Sequence, residues 1–98
     1  MPTHDEFEQF MRGYRSLPKH RRLIFRQAVR AMGEDMRAGQ PFRASLRVSV
    51  LSGYPGIYEM TWEMPNGRAT FMFAAGLIAG EQHIEWRRIS GHEVYKNP

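Results

Sequence analysis

Four side chains in the second half of the chain are of the types that acid–base chemistry at a phosphate requires. They are Glu59, Arg68, Arg87 and His92. A guanidinium stabilises charge on the non-bridging oxygens, a carboxylate or an imidazole accepts a proton, and a protonated group serves the leaving oxygen. Histidine gains or loses its proton near neutrality, so His92 suits either proton transfer. Together with Arg47 and Glu63, which are expected on the same face, this set is sufficient for transesterification at an RNA phosphate with no metal and no other cofactor.

A hairpin would bring Glu59 and Arg68 together. The Asn66-Gly67 turn between two alternating segments is a strong hairpin signal and predicts that Pro65 lies opposite Arg68. The register that follows pairs Glu63 with Thr70, Thr61 with Met72 and Glu59 with Ala74. One face of this hairpin is polar, with Glu59, Thr61, Glu63, Arg68 and Thr70. The other is apolar and is expected to build the core, with Tyr58, Met60, Trp62, Met64, Ala69, Phe71, Phe73 and Ala75.

Flanking strands add candidates to the polar face. Arg47 and Ser49 alternate with Val48 and Val50, and are expected to point the same way as Glu59. Arg87 joins them if the last strand stays in phase. Arg88 would then point towards the helices, unless a β-bulge re-aims it.

Each candidate also has a purely structural interpretation. Glu63 and Arg68 lie diagonally across the hairpin, where an exposed ion pair contributes under ~1 kcal/mol. His92 would merely cap a chain end. Trp62 and Trp86 are interpreted as core residues rather than as surfaces for stacking bases.

Two helices precede these strands. Phe7, Phe10, Met11 and Tyr14 recur at helical spacing, and Phe25, Ala28, Val29, Met32 and Met36 do so again after Pro18. The helices are predicted within residues 4–38, and strands at about 46–51, 58–64, 68–74 and 83–89. The predicted fold is α+β, one domain over residues 1–98, with two N-terminal helices covering the apolar face of a four-stranded antiparallel sheet.

Basic residues concentrate in the first half of the chain. The segment from Arg12 to Arg47 carries a formal charge of +8 and the remainder −4, and 12 of the 14 basic residues are arginine. This asymmetry favours a polyanionic partner. Arg22, Arg26 and Arg30 recur every four residues on the second helix and are candidate phosphate contacts, as are Arg47 and Arg88. The alternative is an exposed stripe that salt screens.

Several classes of protein do not fit the composition. The chain has no cysteine, so it has neither disulfides nor thiolate chemistry. Its four histidines do not fall at metal-ligand spacings, and no metal is expected. It has no apolar segment long enough to span a bilayer and no signal-peptide pattern, so we expect a cytoplasmic protein with no membrane partner.

Three segments resemble the RelE/ParE superfamily of bacterial toxins. They are Ile57-Tyr58-Glu59-Met60 after a glycine-rich loop, Gly67-Arg68-Ala69-Thr70-Phe71, and Ile89-Ser90-Gly91-His92. Tyr58 also stands ten residues before the strand-opening Arg68, and Tyr95 follows the final strand. The similarity covers roughly Phe7 to Tyr95. It implies a microbial-ribonuclease-like fold and, in the RelE branch, metal-free cleavage of mRNA in the ribosomal A site.

The resemblance also implies roles and partners. Arg68 would stabilise the phosphate, His92 would assist proton transfer, and Tyr95 would stack on or orient a base. The partners would be the ribosome, mRNA and a cognate antitoxin protein. Glu59 and Thr61 stand where well-known members carry lysines, which favours a carboxylate–arginine–histidine arrangement. The alternatives are a ParE-like toxin that binds gyrase without catalysis, and an inactive RNA- or protein-binding domain on the same scaffold.

Overall fold

Two helices precede a four-stranded antiparallel sheet in the computed structural model of the protein. It describes residues 4–64, 67–75 and 82–90, with side chains for 8–64, 67–73 and 84–89. The helices are α1 (His4–Ser16) and α2 (Lys19–Arg37), followed by a 3-10 turn at Ala44–Leu46. The strands are β1 (Ser49–Val50), β2 (Tyr58–Glu63), β3 (Gly67–Ala75) and β4 (Gln82–Ser90), adjacent in chain order. The predicted α+β arrangement is confirmed.

One apolar core lies between the helices and the sheet. α1 packs on β4 and α2 packs on β2. Phe25, Ala28 and Met32 form the buried stripe of α2, because residues at this spacing share one side of a helix. The sheet contributes alternate residues, namely Met60, Trp62, Ala69, Phe71 and Ile89. In the described part of the chain, no helix is both long enough and apolar enough to cross a membrane.

The register between β2 and β3 is shifted by four residues from the predicted one. Glu59 lies opposite Thr70, so its predicted pairing with Ala74 is wrong. The cause is Gly67, which opens β3 opposite Glu63. A Cβ on Gly67 would lie 2.6 Å from the Glu63 Cβ, so glycine permits this close approach. Because the shift is an even number of residues, the members of each face stay together.

Two β-bulges interrupt the pairing on either side of β3. Trp62 is the extra residue of β2, between Thr61 and Glu63. Arg87 is the extra residue of β4, opposite the step from Thr70 to Phe71. A bulge changes the direction of the side chains that follow it. Glu63 therefore contacts α2, so its predicted place on the polar face is wrong. Met64 is 60% exposed, so its predicted place in the core is also wrong.

The first strand is shorter than predicted. The 3-10 turn buries Leu46, and Arg47 follows it in a left-handed conformation with φ 48°. β1 begins only at Ser49. Arg47 is exposed and precedes the strand. Its predicted place on β1 beside Ser49 is therefore wrong, because the chain must turn after Leu46 before it can pair with β2.

Candidate functional site

A polar row crosses all four strands on the sheet face that points away from the helices. Ser49 lies opposite Glu59, Glu59 opposite Thr70, and Thr70 opposite Arg88. Residues directly opposite each other on neighbouring strands share a face. With strands about 4.8 Å apart, the row spans roughly 14 Å. It runs from a carboxylate near one edge to a guanidinium at the other.

Arg68 lies in the next row of the same face. It is opposite Thr61 on β2 and opposite Ser90 on β4. Arg68 is thus a diagonal neighbour of Glu59, with side-chain origins about 7 Å apart and the long guanidinium arm able to close the gap. The structure brings together the two residues that the sequence predicted for one face.

The guanidinium of Arg68 is not used in an ion pair. Its Nη1 donates a hydrogen bond to the Gly67 carbonyl oxygen at 3.2 Å. Within the described residues no carboxylate pairs with it, and the predicted alternative of a Glu63–Arg68 pair is wrong. Glu63 instead accepts from Arg21 Nε at 2.6 Å, on the helical side of the sheet. The charge of Arg68 is therefore available to an anion.

The bulge in β4 places Arg87 and Arg88 on the polar face together. Arg88 is opposite Thr70, and its Nη1 donates to the Arg87 carbonyl oxygen at 2.7 Å. Arg87 Nη1 lies 3.6 Å from the sulfur of Met72, a residue that alternates with the core residue Phe71. The extra residue turns Arg88 away from the helices, as the alternative with a β-bulge predicts.

Glu59 has two chemically different oxygens. Ser49 Oγ donates to Oε1 at 3.3 Å. Oε2 is buried and has no hydrogen-bond partner in the described part of the chain. A buried acceptor without a donor destabilises the fold by roughly 1–3 kcal/mol, and a proton or a bound hydroxyl would remove that penalty. Glu59 is thus held by one oxygen, while the other has an open position for a hydrogen-bond donor.

Ser49 and Thr70 are the neighbours to which sequence reasoning assigned no role. Ser49 orients the Glu59 carboxylate, and Thr70 is fully buried in the middle of the row. Only the cross-strand register identifies them as neighbours of Glu59, because it places one on each side of that residue. That register depends on the close approach of Gly67 to Glu63, which the Asn66-Gly67 turn pattern does not indicate.

Other predicted site residues lie elsewhere. Arg22, Arg26 and Arg30 are on α2, on the opposite side of the sheet from Glu59. Arg26 and Arg30 are exposed, while the Nε of half-buried Arg22 is buried and has no partner among the described residues. Arg47 is exposed at the turn before β1. The predictions for His92 and Tyr95 lie outside the described residues.

The polar face therefore contains a carboxylate between Ser49 and Thr70, and guanidiniums on both following strands. Three guanidiniums (Arg68, Arg87 and Arg88) and two carboxylates (Glu59 and Glu85) belong to it in the described part of the sheet. The guanidiniums of such a surface attract an anion. Comparisons of the chain with family models, curated proteins and solved structures give no match.

Proposed function

We propose that the protein is a ribosome-dependent endoribonuclease that cleaves mRNA on the polar face of its sheet. One observation carries the proposal: the guanidinium of Arg68, which forms no ion pair with a described residue, lies diagonally beside a carboxylate whose Oε2 is buried without a partner among those residues. A phosphodiester offers a charge for Arg68 and a neighbouring 2′-hydroxyl proton for Glu59.

The reaction is a transesterification within the RNA. Glu59 Oε2 takes the proton of the 2′-hydroxyl as that oxygen attacks the adjacent phosphorus. The new 2′-O–P bond forms while the bond from phosphorus to the 5′-oxygen breaks, which leaves a 2′,3′-cyclic phosphate and a 5′-hydroxyl. Arg68 and Arg88 stabilise the charge that grows on the non-bridging oxygens. His92 supplies the proton to the leaving oxygen, and Tyr95 orients a base.

The helical layer suits the ribosome-dependent part of the proposal. Arg22, Arg26 and Arg30 lie on α2, so the catalytic face and this basic layer belong to opposite sides of the sheet. One side can then hold mRNA while the other contacts ribosomal RNA, with an affinity that falls steeply as salt rises. Such an enzyme would act in the cytoplasm and would need an antitoxin protein that masks its basic surface.

Induced expression in a bacterial host, followed by primer extension on abundant mRNAs, tests the proposal. We expect translation-dependent cuts inside reading frames from the natural chain and from Arg37→Gln, an exposed arginine of α2 away from the polar face. Arg68→Gln is expected to abolish the cuts while keeping its thermal unfolding transition. Arg68→Lys should keep more activity than Arg68→Gln, because lysine retains the positive charge. It should remain below the natural chain, because lysine lacks the planar guanidinium that makes two hydrogen bonds to a phosphate.

Three results would contradict the proposal. Cuts that persist in a folded Arg68→Gln protein would remove the polar face from the reaction. Growth arrest with intact mRNA would favour the non-catalytic, gyrase-binding alternative. The absence of any growth arrest would favour an inactive binding domain on the same scaffold.

A further inference from the structure

A groove opens between α1 and α2, on the helical side of the sheet and away from Glu59. It has a volume of about 240 Å³. Its walls come from both helices and its floor from β4, with the lining residues Phe10, Met11, Tyr14, Phe25, Arg26, Val29 and Trp86. None of these residues takes part in the cleavage chemistry except through the proposed RNA contact of Arg26.

The groove exists because the two helices rest on different strands. α1 packs on β4, whereas α2 packs on β2. Gly13 holds α1 tightly to β4, since a Cβ there would lie 2.6 Å from the Ile89 carbonyl oxygen. The space left between the helices is floored by aromatic rings. Phe25 and Trp86 meet at a centroid distance of 5.2 Å with a 68° interplanar angle, and Phe10 lies 5.7 Å from Trp86.

Arg26 gives the groove a charge at its rim. Among the described residues that line it, Arg26 alone is ionic. Its side chain is exposed and has no ion pair or hydrogen bond with any described residue. Arg21, five residues earlier on the same helix, is paired with Glu63, and Arg43 is paired with Asp35. The rim of the groove thus holds a guanidinium without a carboxylate beside an apolar floor.

We propose that this groove binds a small aromatic monocarboxylate, with its ring on Phe10, Phe25 and Trp86 and its carboxylate on Arg26. Arginine pairs with a carboxylate through two parallel hydrogen bonds, and ring edges and faces complete the contact. The volume lies below the roughly 300–1,000 Å³ of sites for drug-sized ligands, which limits the ligand to one ring or a fused pair.

The lining discriminates against nucleobases. A base carries ring nitrogens and carbonyl oxygens that need hydrogen-bond partners when they leave water. Apart from Arg26, the lining offers them only the Tyr14 hydroxyl and the Trp86 indole N–H, which are fewer partners than the ring nitrogens and carbonyl oxygens of a base require. A hydrocarbon-rich ring avoids that penalty. The ligand class is therefore distinct from the RNA proposed for the opposite face.

Calorimetry and amide chemical-shift mapping of the full chain test the proposal with two matched probes, indole-3-acetate and indole-3-acetamide. We expect saturable binding of the acetate below 1 mM, shifts at the groove residues, and at least a fivefold weaker affinity for the neutral amide. Arg26→Gln is expected to lower the affinity for the acetate to that for the amide. Arg37→Gln, exposed on the same helix outside the groove, is expected to leave both affinities unchanged.

Equal affinities for the two probes, or an unchanged acetate affinity in Arg26→Gln, would show that Arg26 does not bind the carboxylate and would overturn that part of the proposal. Absence of saturable shifts up to 10 mM would overturn the site. Because Arg26 is exposed, its substitution leaves the core intact, and retained amide dispersion verifies the fold. None of these outcomes depends on RNA cleavage, since the probes contain no phosphate and bind on the other side of the sheet.

Discussion

Arg21 of α2 pairs with Glu63 of β2, with 2.6 Å between Nε and Oε1. The guanidinium also lies 5.1 Å from the centre of the Trp62 ring. Both side chains are about one quarter exposed, so the pair is shielded from water on several sides. The bulge at Trp62 turns Glu63 towards this partner. The same geometry deprives Arg68 of the carboxylate that a regular hairpin would have given it.

The Arg21–Glu63 pair is expected to stabilise the fold without serving catalysis. Arg21→Gln and Glu63→Gln should each lower the free energy of unfolding by about 1 kcal/mol, the usual value for a partly buried charged hydrogen bond. A double-mutant cycle measured by urea unfolding should give a coupling of roughly 0.5–1.5 kcal/mol. Both variants should still cut mRNA. Loss of cutting by a folded Glu63→Gln protein would show that Glu63 belongs to the catalytic site.

Glu59→Gln is expected to separate catalysis from stability. Removal of the proton acceptor should lower cleavage by roughly 100-fold or more. Stability should be unchanged or raised, because the amide removes a buried charge whose Oε2 has no donor among the described residues. Ser49→Ala should lower cleavage only a few-fold, about what loss of one orienting hydrogen bond predicts. Cleavage is measured as a rate at fixed enzyme concentration, and stability is measured as the midpoint of urea unfolding. Full activity in Glu59→Gln would exclude Glu59 as the base.

The same substitution at two helix glycines is expected to have opposite effects. In Gly13→Ala the new Cβ would lie 2.6 Å from the Ile89 carbonyl oxygen, so α1 must move away from β4, at a cost of about 1–3 kcal/mol. In Gly33→Ala the nearest atoms are the flexible end of Arg37 at 3.2 Å, and helix propensity favours alanine by up to ~1 kcal/mol. Thermal unfolding should shift down for the first variant and up for the second. Equal shifts would refute the close contact between α1 and β4.

Asp35 makes stability depend on pH. Hydrogen bonds from the Arg43 side chain and backbone hold the pKa of the Asp35 carboxyl below its ordinary value of 3.8. The contact therefore contributes fully above about pH 4 and is lost as the pH falls through the lowered pKa of the folded state. We expect Asp35→Asn to have a lower urea midpoint than the natural chain at pH 7, and the gap to shrink towards pH 2. A gap that stays constant would contradict this linkage.

The periodicity of apolar residues predicts the helices and the two faces of the sheet. It does not predict the strand register or the bulges, which depend on close contacts between strands. The stripe through Phe25 and Met32 and the alternation of Met60 with Glu59 identify the helices and the two sheet faces, because each follows from backbone geometry alone. The register follows from the contact of Gly67 with Glu63. Bulges depend on how neighbouring strands twist and pack, which no local pattern states. Glu59 and Arg68 were therefore predictable, whereas the direction of Glu63 was not.

The β4 strand is one residue longer than its pairing needs. Trp86 pairs with Phe71 and Arg88 with Thr70, two adjacent positions of β3, and Arg87 is left between them. A one-codon deletion within the Arg87-Arg88 pair would leave every other residue of the strand on its present face. Deletion at the β2 bulge would instead remove Trp62, which is 6% exposed in the core. Of the two extra residues, the one in β4 can be lost without repacking the interior, so relatives that differ in length by one residue are expected to differ there.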